Sequence, residues 1–266
     1  LGARTVTGFG TLINYTGLQT VDADANGQTV RVNGTAGDDT LVVTPLTADT
    51  GTVQGNGVDP VVLYDNIAAN ALTVDGVGGE NTIVVVGNET DETFIVTPAL
   101  VSVGGQTVNY AGQALKVNGR QGDDTFTVTP GAIPMFIDGG DPIGSTATGD
   151  SINLQAGNLN TTFFPGPEGD EGGIDVAGNQ TVSYDHIENL TITDPNQLSI
   201  CGTNADDDIT LVTNGPDDFR FAVNDSPFAT VTDANSVVVE GKAGDDDLVL
   251  ELDVTFNIGI TLNGDF

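Results

Sequence analysis

A strand–turn–strand unit recurs along this chain at nearly fixed intervals, and that recurrence limits the fold more than any other feature. The unit reads "LKVNGRQGDDTFTVTP" at 115–130, with relatives "VRVNGTAGDDTLVVTP" (30–45), "LTVDGVGGENTIVVVG" (72–87), "LSICGTNADDDITLVT" (198–213) and "VVVEGKAGDDDLVLEL" (237–252). A looser copy at 135–155 has five extra residues in its turn, and "ITLNGDF" at 260–266 begins another. The first apolar positions are Val30, Leu72, Leu115, Met135, Leu198, Val237 and Ile260, so successive spacings are 42, 43, 20, 63, 39 and 23. All lie close to multiples of 21. Self-similarity at a fixed period marks a solenoid, and a period near 21 is too short for helical hairpin repeats.

Val, Thr, Ile and Phe alternate in short runs bounded by Gly, Asn, Asp and Pro, which is the pattern of strands. The expected fold is all-β: a right-handed parallel β-helix (β-solenoid) with about 21 residues per coil, continuous over 1–266. About a dozen rungs at about 4.8 Å spacing give a rod of roughly 60 Å. Thr-Pro should end strands at Pro45, Pro98 and Pro130, since proline lacks the ladder donor. Tyr15, Tyr64, Tyr110 and Tyr184 recur in a second pattern and should stack along one corner, rings inward and hydroxyls towards solvent. The segment 157–173, "GNLNTTFFPGPEGDEGG", reads as a Gly/Pro/acidic loop protruding from the rod.

Six Lys+Arg against 38 Asp+Glu give a formal net charge of −32. That balance excludes nucleic acid and anionic membrane surfaces as partners, because both need Lys/Arg to meet phosphate. No run approaches the roughly 20 apolar residues of a membrane helix, so no membrane insertion is expected. One cysteine, Cys201, leaves no intrachain disulfide. It sits in a slot held elsewhere by Asn33, Asp75, Asn118 and Glu240, and reads as a tolerated turn residue.

"GRQGDDTFT" (119–127), "GTAGDDTLV" (34–42) and "GKAGDDDLV" (241–249) resemble the calcium-binding nonapeptide of the repeats-in-toxin (hemolysin-type) β-roll. All three lack its second glycine; "GVGGENTIV" has Asn81 for the aspartate, and "GTNADDDIT" has Ala205 for a glycine. The resemblance implies Ca²⁺ shared between consecutive turns, with Asp39, Asp124, Asp150, Asp207 and Asp246 as ligands beside turn carbonyls. Family units follow one another directly. Here only the turns at 119–124 and 139–150 are expected on adjacent rungs, the others lying mostly two coils apart. A second reading of the same residues stays open, in which Gly supplies positive φ and Asp bonds the turn backbone without metal.

No catalytic constellation emerges. The basic residues are Arg4, Arg31, Lys116, Arg120, Arg220 and Lys242; three of them occupy exchangeable repeat positions. His186 beside Asp185 lacks a companion nucleophile. Outward threonines such as Thr125, Thr127 and Thr129 form no continuous row, which excludes an ice-binding face. Asn14, Asn33, Asn88, Asn160, Asn179 and Asn189 lie in glycosylation patterns, several of which arise by chance in such a composition. The reading is an extracellular structural or adhesive repeat protein at the cell surface, assembling head to tail or laterally into a fibre or surface layer, with cell-surface glycan as a further partner. The alternative is a carbohydrate-active β-helix enzyme of the polysaccharide lyase or glycosidase type.

Overall fold

The computed structural model describes residues 4–7, 13–15, 19–57, 60–141, 149–253 and 255–264. They form strands and turns only, in two long sheets facing one another across a single apolar core. The chain begins in the first sheet with β1 (Arg4–Thr7) and β2 (Ile13–Tyr15), then crosses to the second with β3 (Thr20–Asp24) and returns with β4 (Val30–Asn33). The second sheet next receives β5 (Thr40–Pro45), β6 (Gly51–Gly55) and β7 (Val61–Asp65). After β8 (Leu72–Asp75) in the first sheet and β9 (Thr82–Val86) in the second, the first takes β10 (Thr93–Val96), β11 (Leu100–Val103) and β12 (Gln106–Ala111).

Simple alternation follows. β13 (Ala114–Gln121) and β15 (Met135–Asp141) join the second sheet, β14 (Thr125–Val128) and β16 (Ser151–Gln155) the first. β17 (Asn160–Pro165), β18 (Gly172–Val176) and β19 (Val182–Asp185) then lie together in the second sheet, followed by β20 (Asn189–Thr193) in the first and β21 (Gln197–Cys201) in the second. β22 (Asp208–Thr213), β23 (Phe219–Val223) and β24 (Ala229–Thr232) form a last triple in the first sheet. β25 (Ser236–Glu240), β26 (Asp247–Glu251) and β27 (Gly259–Asn263) end the chain, with β26 in the first sheet and the other two in the second.

The solenoid-like, all-β architecture expected from the repeat is present, with one departure. Coils are interrupted by antiparallel meanders, β5–β6–β7, β10–β11–β12, β17–β18–β19 and β22–β23–β24. Apart from the antiparallel pairs that β1 makes with β2 and β4, successive coils pair in parallel: β5 with β9, β9 with β13, β13 with β15, β14 with β16. The 42-residue spacing is therefore one rung, not two. Val30 pairs directly with Leu72, because the intervening residues are used up by a meander lying flat in the opposite sheet. The segment 157–173 is likewise corrected. About half of it forms β17 and the start of β18, and 166–171 connect them.

Alternation sets which side chains face inward, as in any half-buried strand. Phe94, Phe126, Ile152 and Leu190 stack rung over rung, the two phenyl rings 4.7 Å apart and 18° from parallel. Rings of Tyr64, Tyr110 and Tyr184 point inward, but their hydroxyls do not reach solvent. Tyr64 donates to Gln106 Oε1 (2.7 Å), from one sheet to the other, and Tyr110 to the Thr97 carbonyl (2.7 Å). Burial pushes all three phenols well above their ordinary range. Gly51 faces Tyr64 and Gly172 faces Tyr184 across meander strands, where an added Cβ would meet the hydroxyl at 2.3 and 2.7 Å. The phenol ring occupies the room that glycine leaves, a known way to support glycine within a sheet. The side chain of Tyr15 lies outside the described residues.

Candidate functional site

The five aspartates singled out from the sequence are all buried, none more than 4 % exposed, at turns between the sheets. The turns begin with glycine and usually end, five residues later, with the buried acid or amide. They fall into two conformations. In 34–39, 87–92 and 202–207, the second residue keeps negative φ and its backbone N–H donates to the ladder carboxylate: Thr35 to Asp39 (2.5 Å), Asn88 to Glu92 (2.6 Å), Thr203 to Asp207 (2.6 Å). In 76–81, 119–124 and 241–246, the second residue is Val77, Arg120 or Lys242 with φ of 70, 81 and 72°. Two residues on, Gly79, Gly122 and Gly244 also have positive φ.

Each of these three flipped turns stacks on an open one. The ladder residue below donates its N–H to the side chain above: Asp39 to Asn81 Oδ1 (2.9 Å), Glu92 to Asp124 Oδ1 (2.7 Å), Asp207 to Asp246 Oδ1 (3.0 Å). A second, outer set runs the other way, from the Glu80, Asp123 and Asp245 amides to the carboxylates of Asp38, Asp91 and Asp206 (2.8–2.9 Å). The outer acid of the lower turn and the inner acid or amide of the upper turn thus serve as acceptors for the neighbouring coil. The same two-rung pair is built three times. Glycine is required at the upper turn because its backbone presses on the lower one: a Cβ on Gly79 would sit 2.5 Å from the Gly37 carbonyl carbon, and one on Gly244 2.4 Å from the Ala205 oxygen.

The ladder continues beyond the sequence motif. Asn81 N–H donates to Gln113 Oε1, Asp124 N–H to Asp150 Oδ1 and Asp150 N–H to Glu188 Oε2, each at 2.7 Å. The expectation that most turns lack a neighbour is therefore corrected: Asp39 lies against Asn81 and Asp207 against Asp246, since meanders account for the long sequence gap. Sequence reasoning missed Glu92, Gln113 and Glu188, although "GNETDE" at 87–92 carries the same glycine-to-acid spacing. It also missed Asn56 and Asn224, each 17 residues after a ladder aspartate, whose amides donate to Asp39 Oδ1 and Asp207 Oδ1 (2.8 Å).

Charge is crowded here. Burial raises Asp124 to about 7, helped by the charges of Asp150, Glu92 and Asp91 and opposed by the Glu92 N–H. Asp150 is raised to about 6, again first by burial, then by Glu188, Asp123 and Asp138. Calcium needs six to eight oxygen ligands. Asp39 and Asp207 offer no free oxygen, both atoms of each being engaged by backbone and asparagine donors. Asp124, Asp150 and Asp246 each keep one Oδ2 without a hydrogen-bond partner. Among the described residues no three His, Cys, Asp or Glu side chains converge as a metal cluster. The buried set fits a backbone-stacking role.

Outside the corner, His186 pairs with Asp138 (Nδ1 to Oδ1, 3.0 Å) rather than with its sequence neighbour Asp185, whose carboxylate is 3.8 Å from Nε2. The Asp138 hydrogen bond raises the imidazole, burial opposing it. Arg120, paired with Glu89 (3.0 Å), shares an open groove with His186 and Asp138. The other described basic side chains are also engaged: Arg31 with Asp75, Lys116 over Phe136, Arg220 over Phe228 and Lys242 over Phe164. Cys201 is buried with its thiol against Glu240, and burial pushes it up to about 11. Compared with protein-family models, curated proteins and solved structures, the chain matches none of them.

Proposed function

We propose that this chain is a structural or adhesive rod of an extracellular surface, fibre or array. The observation that carries the reading is the use of its recurrent polar residues. Acids and amides of the turns are spent on holding one coil to the next, and the described basic side chains are spent on ion pairs and ring contacts.

Assembly end to end is supported by the rung formed by β26 and β27. Leu250 is in register with the buried Leu211, and Leu262 with the buried Val239, yet they are 36 % and 47 % exposed. Inward-facing leucines beside unpaired strand edges accept further rungs, from a longer chain or from a second copy, and in the proposed assembly the second copy supplies them. Such heterologous stacking extends into filaments unless it closes. Electron microscopy at micromolar concentration tests this directly. Fibres or arrays are expected; monodisperse short rods overturn the assembly.

The groove of Arg120, Asp138 and His186 favours the second reading, a carbohydrate-active enzyme. A panel of acidic and neutral polysaccharides decides between them. Turnover that disappears in His186→Ala or Asp138→Asn replaces the structural reading; absence of turnover supports it.

A further inference from the structure

The flipped turns differ in the group that ends them, an amide in one and a carboxyl in the others. In all four turns whose second residue has positive φ (Val77, Arg120, Gly140 and Lys242), the backbone N–H that caps the carboxylate in the open turns is lost to it. One of the four carries asparagine. Asn81 Nδ2 donates to the Gly78 and Gly79 carbonyls (2.8 and 3.4 Å) while Oδ1 keeps the inter-coil bond. The other three carry Asp124, Asp150 and Asp246, and these are the three ladder residues with an unpartnered, fully buried Oδ2.

That oxygen occupies the place of the asparagine nitrogen. Asn81 Nδ2 lies 2.4 Å from where a Cβ on Gly76 would be, Asp124 Oδ2 2.0 Å from the same point on Gly119, and Asp150 Oδ2 2.4 Å from it on Gly139. A buried carboxylate oxygen with no donor facing it is unfavourable unless a proton or cation stands beside it.

We propose that the flipped turns are built for a hydrogen-bond donor, and that Asp124 and Asp150 fill the position as neutral carboxylic acids rather than as calcium ligands. The proton comes from solvent as the turn folds and no covalent bond changes. Oδ2–H then does what the Asn81 amide does. The groups facing these carboxyls are Glu92 and Asp91 from the coil below, Asp123 beside them, and Glu188 and Asp138 from the coils above. All are acids, which favours the neutral form.

Three single variants test the proposal: Asp124→Asn, Asp150→Asn and the converse Asn81→Asp. Thermal midpoints are measured near neutral pH with Ca²⁺, with equal Mg²⁺ and with chelator. Each Asp→Asn variant is expected to keep or raise the midpoint, and Asn81→Asp to lower it. Ca²⁺ should act no differently from Mg²⁺ in any of them. A midpoint that falls in the Asp→Asn variants overturns the proposal. A calcium-specific rise in the parent that those variants lose restores the metal reading instead. Infrared spectroscopy gives a readout independent of stability: a protonated carboxyl band at about pH 5, between the unfolded and folded values, that the Asp124→Asn/Asp150→Asn variant lacks. Absence of that band in the parent also overturns the proposal.

Discussion

Removing the ring of Phe126 is the sharpest probe of how the coils hold together. The side chain is fully buried, stacked on Phe94 from the coil below and on Ile152 above. Truncation to alanine loses burial and leaves a cavity, about 3–5 kcal/mol for a core phenylalanine. Within that, the offset ring pair contributes about 0.5–1.5 kcal/mol beyond area alone. Unfolding entropy of about 2.1 cal/mol/K per residue over 266 residues is about 0.56 kcal/mol/K, so a loss of about 4 kcal/mol lowers Tm by about 7 °C. Calorimetry of Phe126→Ala beside Thr127→Ala is the assay. The threonine is next in sequence but faces outward, and its loss should stay within about 0.5 kcal/mol. The double variant Phe94→Ala/Phe126→Ala should fall short of additivity by about the ring-pair energy. Equal melting of the two single variants would refute the inward register, and strict additivity would refute the stack.

Stability should also depend on pH through the ladder. Asp124, raised to about 7, and Asp150, raised to about 6, bind protons more tightly folded than unfolded. Their contribution is complete below the unfolded value near 4 and is lost as pH rises to about 7, with a span of about 4 kcal/mol for Asp124. Tm measured from pH 4 to 8 at fixed ionic strength should fall more steeply in the parent than in the Asp124→Asn/Asp150→Asn variant; parallel curves contradict this. Gly119→Ala should destabilise by about 1–3 kcal/mol, since its Cβ would meet Asp124 Oδ2 at 2.0 Å, whereas Gly259→Ala enters open space and should not. Chemical denaturation of both distinguishes the two. Cys201 should resist thiol reagents in the folded protein and react at once in denaturant, followed by absorbance; rapid native labelling would show that the strand end opens.

The inward and outward faces were legible because alternation is a local property: Phe126, Val128, Leu115 and Val117 declare themselves by period alone. Which strand lies beside which was not. An antiparallel meander strand such as β11 alternates just as a coil strand does, so Val30 and Leu72 looked two coils apart when they are hydrogen-bonded neighbours. The ladder was half legible for a similar reason. Asp39, Asp124, Asp207 and Asp246 share a motif, whereas Glu92, Gln113 and Glu188 reach the same position with a longer side chain from turns of different composition. The roles of the aspartates were the least visible part. Whether a carboxylate meets a metal, an amide or another oxygen depends on one peptide orientation at Arg120 or Lys242, and that orientation has no residue signature of its own.

Rung order and chain order disagree at every meander, and this bears on how the molecule can be made. β10 does not land beside β8: two places between them stay vacant until β11 and β12 emerge. The same overshoot and return occurs at β5, β17 and β22, each laid down ahead of the two strands that join it to what came before. A ribosome delivering this chain residue by residue cannot add rungs one at a time. Growth must instead advance in instalments, each ending only when the returning strand closes the gap, and a chain halted within a meander holds a bare-edged strand with no neighbour on its inner side.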